Sequence, residues 1–455
     1  MPQIPFPNGF SQIENLPKSR ESLVNCFNNG QGFIISRPGI DALATVSGVA
    51  RGQFVWNGSL YQVSSENLIK ITNTTTGANS TIGTIAGNEI IQTAIGFNTA
   101  VIVVKGGAIY TLDKSDTLVT ISGNSNFEPC DAVTHIDGRF VYIPTDGANP
   151  AFFSDIGAAG TVQVLSFFDA EELPDQNETT FNLRNTLYIG GTDSFELFRD
   201  TGASPVPFQR LTGARIDYGF IGGLIPYSDT YVFIGRAKDQ NFGIYAINQG
   251  KADKISNEAI DAILKTHSLE ALSNAIPNRF KWRGYDIITF SISTESFGFF
   301  NGSWFILNKS IDGIETPWDG GFINQFDGEY YSASVNRIGK LSNSNTEYGE
   351  TIPRVIDIPF QQPENEWFSA QSVSLNISQG FNTGAATVGM ALSRNNVEYG
   401  EWLFRDLGAL GQYDNHLEWN YPGGLGSYNG FMGLRFYTTQ NVEFDANGLY
   451  ANFRG

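Results

Sequence analysis

Residues 135–156, HIDGRFVYIPTDGANPAFFSDI, contain the pattern that decides the fold. Phe140 and Tyr142 mark one short strand and Phe152 marks a second, since aromatic residues are enriched in strands. The segment between them, residues 146–150, is rich in residues that reverse a chain, and the pair at 137–138 is a second turn signal. The stretch therefore predicts a β-hairpin flanked by turns, and a chain built from such units is all-β.

The same plan, a turn followed by an aromatic-rich strand, recurs seven times. The copies lie at residues 56–61, 105–110, 135–156, 183–189, 227–233, 282–288 and 326–331. Their spacing of about 30 to 55 residues is near the ~40–50 residue period of propeller blades, although no Gly-His to Trp-Asp signature is present. Because one strand pair cannot bury its own face, radial stacking predicts an irregular β-propeller of about six to seven blades. Alternatively, a long β protein rich in Asn-Gly and Asp-Gly turns contains look-alike hairpins by chance.

Residues 256–276 form the one convincing helical segment. Apolar residues recur there at three to four residue spacing, which is the period of an amphipathic helix. Ser256 is the predicted N-cap, and residues 266–268 break the segment so that Ser268 caps a second short helix. This short helical insertion either packs on a blade edge or forms a partner site.

Three domains are predicted. Residues 1–45 form an extended, proline-punctuated segment that joins either the platform or the propeller, and residues 46–345 form the propeller. The polar run at 342–346 indicates a linker. Beyond it, apolar and polar residues alternate along residues 346–455, and Val373, Leu375 and Ile377 fall on one face. This alternation predicts a β-sandwich-like platform domain.

The chain is strongly acidic, with 28 Lys and Arg against 46 Asp and Glu and a formal net charge of -18. Affinity for nucleic acid comes largely from neutralising phosphates, so we expect no surface that grips DNA. The N-terminus has no basic segment followed by an apolar run, and no long apolar stretch occurs, so we expect neither a secretory leader nor membrane insertion. Cys26 and Cys130 are the two cysteines, and we expect both to be free and buried.

No motif for a metal, cofactor or nucleophilic site stands out in the sequence. The three histidines, His135, His267 and His416, are isolated, and the Gly-rich run at 423–426 lacks the strand-to-helix context of a phosphate cradle. We therefore expect no cofactor and no enzyme activity. Glycoside hydrolysis stays open as an alternative, because it needs only two carboxylates that can lie far apart in sequence.

The densest negative charge follows the 135–156 hairpin. Its carboxylates are Asp169, Glu171, Glu172 and Asp175, which we name the acidic loop. The loop is either a solvated surface loop or a docking or channel-lining site that a symmetric ring would repeat around its axis.

Several colinear stretches resemble one known family. They include residues 32–40, residues 48–61, the Asp-Gly-Arg-Phe run at 137–140 with Phe-Ser-Asp at 153–155, the helical segment followed by Arg279-Phe280, and residues 391–401. In the last stretch Asn395-Asn396 stand where an Asp-Gly turn is usual, and Asn tolerates the same positive φ at modest cost. With this order of motifs the chain resembles the tail hub, or nozzle, proteins of short-tailed phages, the packaged-DNA stabilisation or head-completion family.

The resemblance implies a virion protein made in the bacterial host cytoplasm. It implies a homo-hexameric ring below the head-to-tail adaptor that continues the DNA ejection channel, with a tail needle or plug at its far end and tailspikes or fibres around it. An acidic channel would let DNA pass without holding it.

Two other classes of function stay open. A carbohydrate-binding or glycoside-cleaving propeller would use the same turns and aromatic residues. A tail fibre or spike would usually show long β-helix or coiled-coil repeats, which this sequence lacks.

Overall fold

The computed structural model describes residues 2–13, 16–122, 124–169, 175–238, 241–311, 314–362, 366–381 and 386–454, and these residues form an all-β protein. A short 3-10 helix, Pro17–Ser19, precedes the first strands. The first four strands are β1 Ser22–Val24, β2 Cys26–Asn28, β3 Ile34–Ser36 and β4 Gly39–Thr45.

Five consecutive antiparallel sheets of four strands follow, which we number blades 1 to 5. Blade 1 contains β5 Ala50–Trp56, β6 Ser59–Ser64, β7 Asn67–Ile71 and β8 Asn79–Thr84. Blade 2 contains β9 Ile91–Ile95, β10 Thr99–Val104, β11 Ile109–Asp113 and β12 Leu118–Thr120. Blade 3 contains β13 Cys130–Ile136, β14 Arg139–Pro144, β15 Ala151–Phe153 and β16 Phe167–Phe168. Blade 4 contains β17 Asn177–Leu183, β18 Thr186–Gly191, β19 Phe195–Asp200 and β20 Phe208–Arg210. Blade 5 contains β21 Tyr218–Tyr227, β22 Thr230–Ala237, β23 Phe242–Asn248 and β24 Lys251–Lys254.

Two further blades close the ring. Blade 6 contains β25 Ile276–Trp282, β26 Tyr285–Ile292, β27 Glu295–Phe300 and β28 Ser303–Ile311, and β29 Ile314–Pro317 pairs with β28. Blade 7 contains β30 Phe322–Phe326, β31 Glu329–Ser334 and β32 Arg337–Ser342, and its fourth strand is β4. The first strand of each blade contacts the first strand of the next, and β30 contacts β5. The predicted irregular propeller is confirmed, with seven blades around a common axis.

The repeated hairpins predicted from the sequence map onto the blades. In blades 1 and 3 the turn between the first two strands has two residues with positive φ, Asn57 at 46° with Gly58 at 68°, and Asp137 at 47° with Gly138 at 80°. These are the angles of the type I′ turn that suits the twist of a hairpin. The copy at residues 105–110 lies instead between the second and third strands of blade 2. The sequence pattern did not predict the turn at residues 96–98, which joins the first two strands of that blade.

The helical segment is confirmed as two short helices, α1 Glu258–Thr266 and α2 Leu269–Ser273. Ser268 caps α2 as predicted, accepting from the amide of Ala271 at 3.2 Å. The prediction that Ser256 caps α1 is wrong, because the side chain of Asn257 accepts from the Ile260 amide. The Ser256 hydroxyl is already used by the Ile244 amide of blade 5, at 3.0 Å.

The helices pack against the propeller. The side chains of Ile260, Leu264 and Leu272 are fully buried, in one hydrophobic cluster with residues of blades 5 and 6. The segment therefore packs on blades 5 and 6 through most of its apolar face, although Leu269 at the start of α2 is 52% exposed.

Strands β33 Thr346–Glu347 and β34 Glu350–Thr351 extend the sheet of blade 7 beside β4. The remaining strands form two sheets that pack face to face. They are β35 Arg354–Gln361, β36 Trp367–Ile377, β37 Thr387–Ser393, β38 Leu403–Asp406, β39 Glu418–Asn420, β40 Gly426–Asn429, β41 Phe431–Thr438 and β42 Ala446–Arg454. One sheet runs β1-β35-β41-β37-β38 and the other β2-β3-β42-β36-β39, with β40 also on β36. Val373, Trp419 and Phe436 are buried in the shared core, which also includes Cys26.

Strands near the N-terminus contribute to both parts of the fold. Strands β1, β2 and β3 pair within the two C-terminal sheets, whereas β4 pairs with β32 in blade 7. Strand β1 also pairs in parallel with β28 through Val24 and Ile306, so blade 6 and one C-terminal sheet are continuous. The division into residues 1–45, 46–345 and 346–455 stays a prediction. Cys26 and Cys130 are free and buried, as expected.

Asn396 supplies a contact that glycine could not make. Its φ is 62°, the left-handed conformation expected for the Asn395-Asn396 turn. Its Nδ2 donates to the carbonyls of Pro17 and Arg20, at 3.0 and 2.9 Å. The turn therefore anchors the N-terminal segment to the C-terminal sheets.

A buried ion pair joins the N-terminal segment to residues that follow the propeller. Arg37 Nη2 lies 2.5 Å from Glu347 Oε2, and both side chains are 1% exposed. The other guanidinium nitrogens donate to Asn25 Oδ1 and the Pro38 carbonyl, and Nη2 also reaches the carbonyl of Asn308. Glu347 Oε1 accepts from the Asp319 amide at 3.1 Å. Residues 342–346, predicted as a linker, thus lead directly into a packed junction.

We expect Arg37→Met to lower the free energy of unfolding by about 3–5 kcal/mol, because it leaves the Glu347 carboxylate buried without its partner. Urea unfolding followed by circular dichroism measures the change. Arg184→Met is the matched control, because the Arg184–Asp229 pair is exposed, at 47% and 75%, and such pairs contribute at most about 1 kcal/mol. Equal effects of the two substitutions would show that the buried pair has no special role.

Candidate functional site

The first strands of the blades surround a central cavity of about 510 Å³. This volume lies in the range of about 300–1,000 Å³ typical of small-molecule sites. Every blade contributes lining residues, among them Gln53, Gln92, Asp131, Glu178, Phe220, Asn278 and Asn324. The cavity is therefore a product of ring closure and belongs to no single blade.

Three charged side chains line the cavity where blades 2, 3 and 4 meet. Lys105 follows β10, Asp131 lies near the start of β13, and Glu178 lies near the start of β17. Partial burial raises the pKa of Glu178. The positive charges of Lys105 and Arg236 oppose this rise, while Asp131 adds to it.

Two of the charged lining residues, Asp131 and Arg279, are held by protein partners. Asp131 Oδ1 accepts from the Gly106 amide at 2.9 Å and from Thr145 Oγ1 at 2.8 Å. Arg279 makes a bidentate pair with Asp286, at 2.9 and 2.6 Å. These contacts hold Asp131 and Arg279 in place. Lys105 and Glu178 have fewer hydrogen-bond or ion-pair partners among the described residues.

The structure separates the members of the predicted acidic loop. Asp169 is exposed, and its carbonyl accepts from Arg210 Nη2 at 3.3 Å. Asp175 is half-buried, and its Oδ2 accepts from the amides of Asp193 and Ser194, at 3.1 and 2.9 Å. Glu171 and Glu172 lie outside the described residues. Asp175 thus stabilises the turn between β18 and β19 in blade 4.

Neither Lys105 nor Glu178 was identified as a site residue from the sequence. One sequence signal could have indicated a cavity residue: a charged residue near the start of a blade's first strand, among apolar or β-branched neighbours. Glu178 shows this pattern in the run Asn-Glu-Thr-Thr-Phe. The signal is weak because it does not show which strands face one another across the ring.

The chemistry available in the cavity is hydrogen bonding by amide, hydroxyl and charged groups beside apolar surface. Among the residues that the structure describes, no group of three or more His, Cys, Asp or Glu could hold a metal ion. Within the same ranges, no helix is long and apolar enough to cross a membrane.

We expect Glu178→Gln to raise the melting temperature at pH 7 but to change it little at pH 4. The folded protein holds the Glu178 proton more tightly than the unfolded chain does, so ionisation of this carboxyl costs stability as the pH rises above its ordinary pKa of 4.5. Differential scanning calorimetry across this pH range measures the difference. Glu401→Gln, at an exposed position, is the control, and a Glu178→Gln variant that is less stable at pH 7 than the wild type would contradict the expectation.

Solved structures with similar folds come from diverse proteins. The extracellular domain of a putative hybrid two-component system from B. thetaiotaomicron is 9% identical, with a TM-score of 0.46, and the match covers 77% of this chain and 45% of that one. Virginiamycin B lyase from Staphylococcus aureus is 11% identical, with a TM-score of 0.41 and coverage of 66% and 97%. BamB from Moraxella catarrhalis is 13% identical, with a TM-score of 0.38 and coverage of 70% and 95%. The chain spans less than half of the first structure, and these scores carry no functional argument.

The sequence comparisons identify a family. No curated protein matches the chain. The model of the phage stabilisation family, described as Bacteriophage P22 Gp10, beta-propeller, matches residues 2–346 of the 455. The match covers the N-terminal segment and all seven blades, so the chain belongs to this family of phage structural β-propeller proteins.

Proposed function

We propose that the chain is the tail hub, or nozzle, of a short-tailed phage. In this proposal six copies form a ring below the head-to-tail adaptor, continue the DNA ejection channel and help to retain packaged DNA. Family membership supports a role in the virion. The observation that carries the assembly role is an open, aromatic strand edge on the C-terminal sheets.

Strand β38 is the last strand of the ten-stranded sheet, so its outer side pairs with no further strand among the described residues. Such an edge presents backbone donors and acceptors to another chain, and in β38 one of them, the Leu403 carbonyl, is already used by Trp419 Nε1 of β39 at 2.5 Å. Phe404 on this strand and Trp402 just before it lie beside Gly389 on the same face, and both rings are at least 37% exposed. Exposed aromatic residues beside an open edge are typical of a protein contact.

A ring of identical chains closes through heterologous contacts, in which one surface of each copy meets a different surface of the next. We propose that the β38 edge, with Trp402 and Phe404, is one side of that contact. The opposite end of the same sheet continues into blade 6. A contact at β38 would therefore set the orientation of the propeller within the ring.

The DNA channel is proposed on the basis of charge. A net charge of -18 per copy disfavours tight phosphate binding, as a conduit for DNA requires. Among the described residues of the acidic loop, Asp169 is exposed. We propose Asp169, together with Glu171 and Glu172, for the channel or docking role.

The remaining partners follow from the same proposal. The ring would bind the adaptor on one side, a needle or plug at its far end and tailspikes or fibres around it, in a virion assembled in the host cytoplasm. We infer no enzyme activity for this role, and the membership in a family of phage structural proteins supports that inference.

We expect the double substitution Trp402→Ser, Phe404→Ser to leave the fold intact but to prevent ring formation, because it removes exposed apolar area at the proposed contact. Multi-angle light scattering of the protein mixed with its adaptor measures the mass, with six copies expected for the wild type. Phe97→Ser is the control, because Phe97 is 83% exposed on the propeller. A double variant that assembles like the wild type would exclude this edge as the ring contact.

We expect Asp175→Ala to lower the free energy of unfolding by about 1–3 kcal/mol, since two backbone amides in blade 4 lose their acceptor. Asp169→Ala should change it by less than about 0.5 kcal/mol, as is usual for exposed positions. Urea unfolding measures both changes. If the two variants were equally stable, Asp175 would not be the structural member of the acidic loop.

A further inference from the structure

The central cavity contains charged groups with unused hydrogen-bonding capacity. Glu178 accepts no hydrogen bond and forms no ion pair with the described parts of the chain, although its carboxylate is partly buried. Lys105 donates one long hydrogen bond, 3.4 Å to Ser273 Oγ. The positive charge of Lys105 acts on Glu178, yet the two side chains form no direct ion pair. Both line the same cavity, so a molecule bound there could contact both.

The two groups require different partners. The Lys105 ammonium can only donate hydrogen bonds, whereas an ionised Glu178 can only accept them. A ligand that satisfies both must offer an acceptor and a donor. A hydroxyl group can do either, so a ligand with several hydroxyls can satisfy both groups.

The rest of the lining suits a ligand with polar edges and apolar faces. Side-chain amides of Gln92 and Asn274 lie on the cavity wall, and so do the aromatic residues Phe181, Phe220 and Tyr231. Sugar rings combine hydroxyl edges with C–H faces. A cavity of about 510 Å³ is large enough for one or two such rings.

The charge balance argues against an anionic ligand. Arg279 is paired with Asp286, and Arg236, which acts on Glu178, is paired with Asp193 at 3.1 Å. Lys105 is then the one cation without an ion pair among the described lining residues, which also include the carboxylates of Glu178 and Asp131. An anion would meet net repulsion, whereas a neutral ligand would not.

We propose that the propeller cavity binds a neutral mono- or disaccharide, with Lys105 donating to one hydroxyl and Glu178 accepting from another. The site is distinct from the ring contact at β38, and it does not depend on the assembly role. It would give a virion protein of this kind a means of contacting glycans.

Saturation-transfer NMR with a panel of neutral hexoses and disaccharides, followed by calorimetry for those that bind, tests the proposal on the full chain. We expect millimolar or tighter binding by the wild type. Lys105→Met should weaken it roughly tenfold or more, since a hydrogen bond from a charged donor is lost, and Glu178→Gln should weaken it by several-fold to about tenfold, since a neutral amide oxygen replaces the charged acceptor. Glu178→Gln is expected to be at least as stable as the wild type at pH 7, so a loss of binding would not reflect unfolding.

Arg184→Met, which removes an exposed charge outside the cavity, is the control and should bind like the wild type. If no saccharide of the panel binds, the proposal is wrong. Binding that survives both cavity substitutions would place the sugar elsewhere and would also overturn it.

Discussion

The buried pair of Arg37 and Glu347 is the interaction on which the rest of the structure depends. A propeller ring must be closed by a strand that is distant in sequence, and here β4 supplies it to blade 7. Arg37 lies just before that strand, and Glu347 lies in β33, which pairs with β4 in parallel. Burial lowers the pKa of Arg37, and the charge of Glu347 opposes this shift. The pair therefore fixes the closing strand only while both partners are present.

Closure has consequences at both ends of the molecule. The strands just before Arg37 enter the C-terminal sheets, so the ring and these sheets are tied through the same short segment. The central cavity exists because seven first strands are held around one axis. The β38 edge lies at the opposite end of the sheet that contains blade 6. The fold thus presents an interior polar cavity and an open aromatic edge at separate places, which allows ligand binding and assembly to be tested independently.

The sequence was sufficient to predict the parts of the fold that local patterns determine. Turns such as Asn57-Gly58 and Asp137-Gly138 require positive φ, and the residues that allow it are visible in the sequence. The pairing of Ile40 with Leu341 was not predictable in this way, because nothing local relates residues so far apart. The cap at Asn257 was missed for a related reason, since the hydroxyl of Ser256 is used by a strand of blade 5.

The candidate sites were harder to predict than the fold. Asp175 belongs to an acidic run, yet the turn at residues 193–194 determines its role, and that turn is brought to it by pairing within blade 4. Lys105 and Glu178 come from different blades and line one cavity only because the ring is closed. Sequence patterns indicate which strands exist, whereas a site between blades depends on how those strands are arranged in space.

The central claim is that the chain acts as a structural ring in a phage tail. Native mass spectrometry of tails released from disrupted virions tests it most directly. The account predicts six copies of this chain per tail, in one complex with the head-to-tail adaptor. Tails that contain the adaptor but lack this chain, or that contain a single copy, would contradict it.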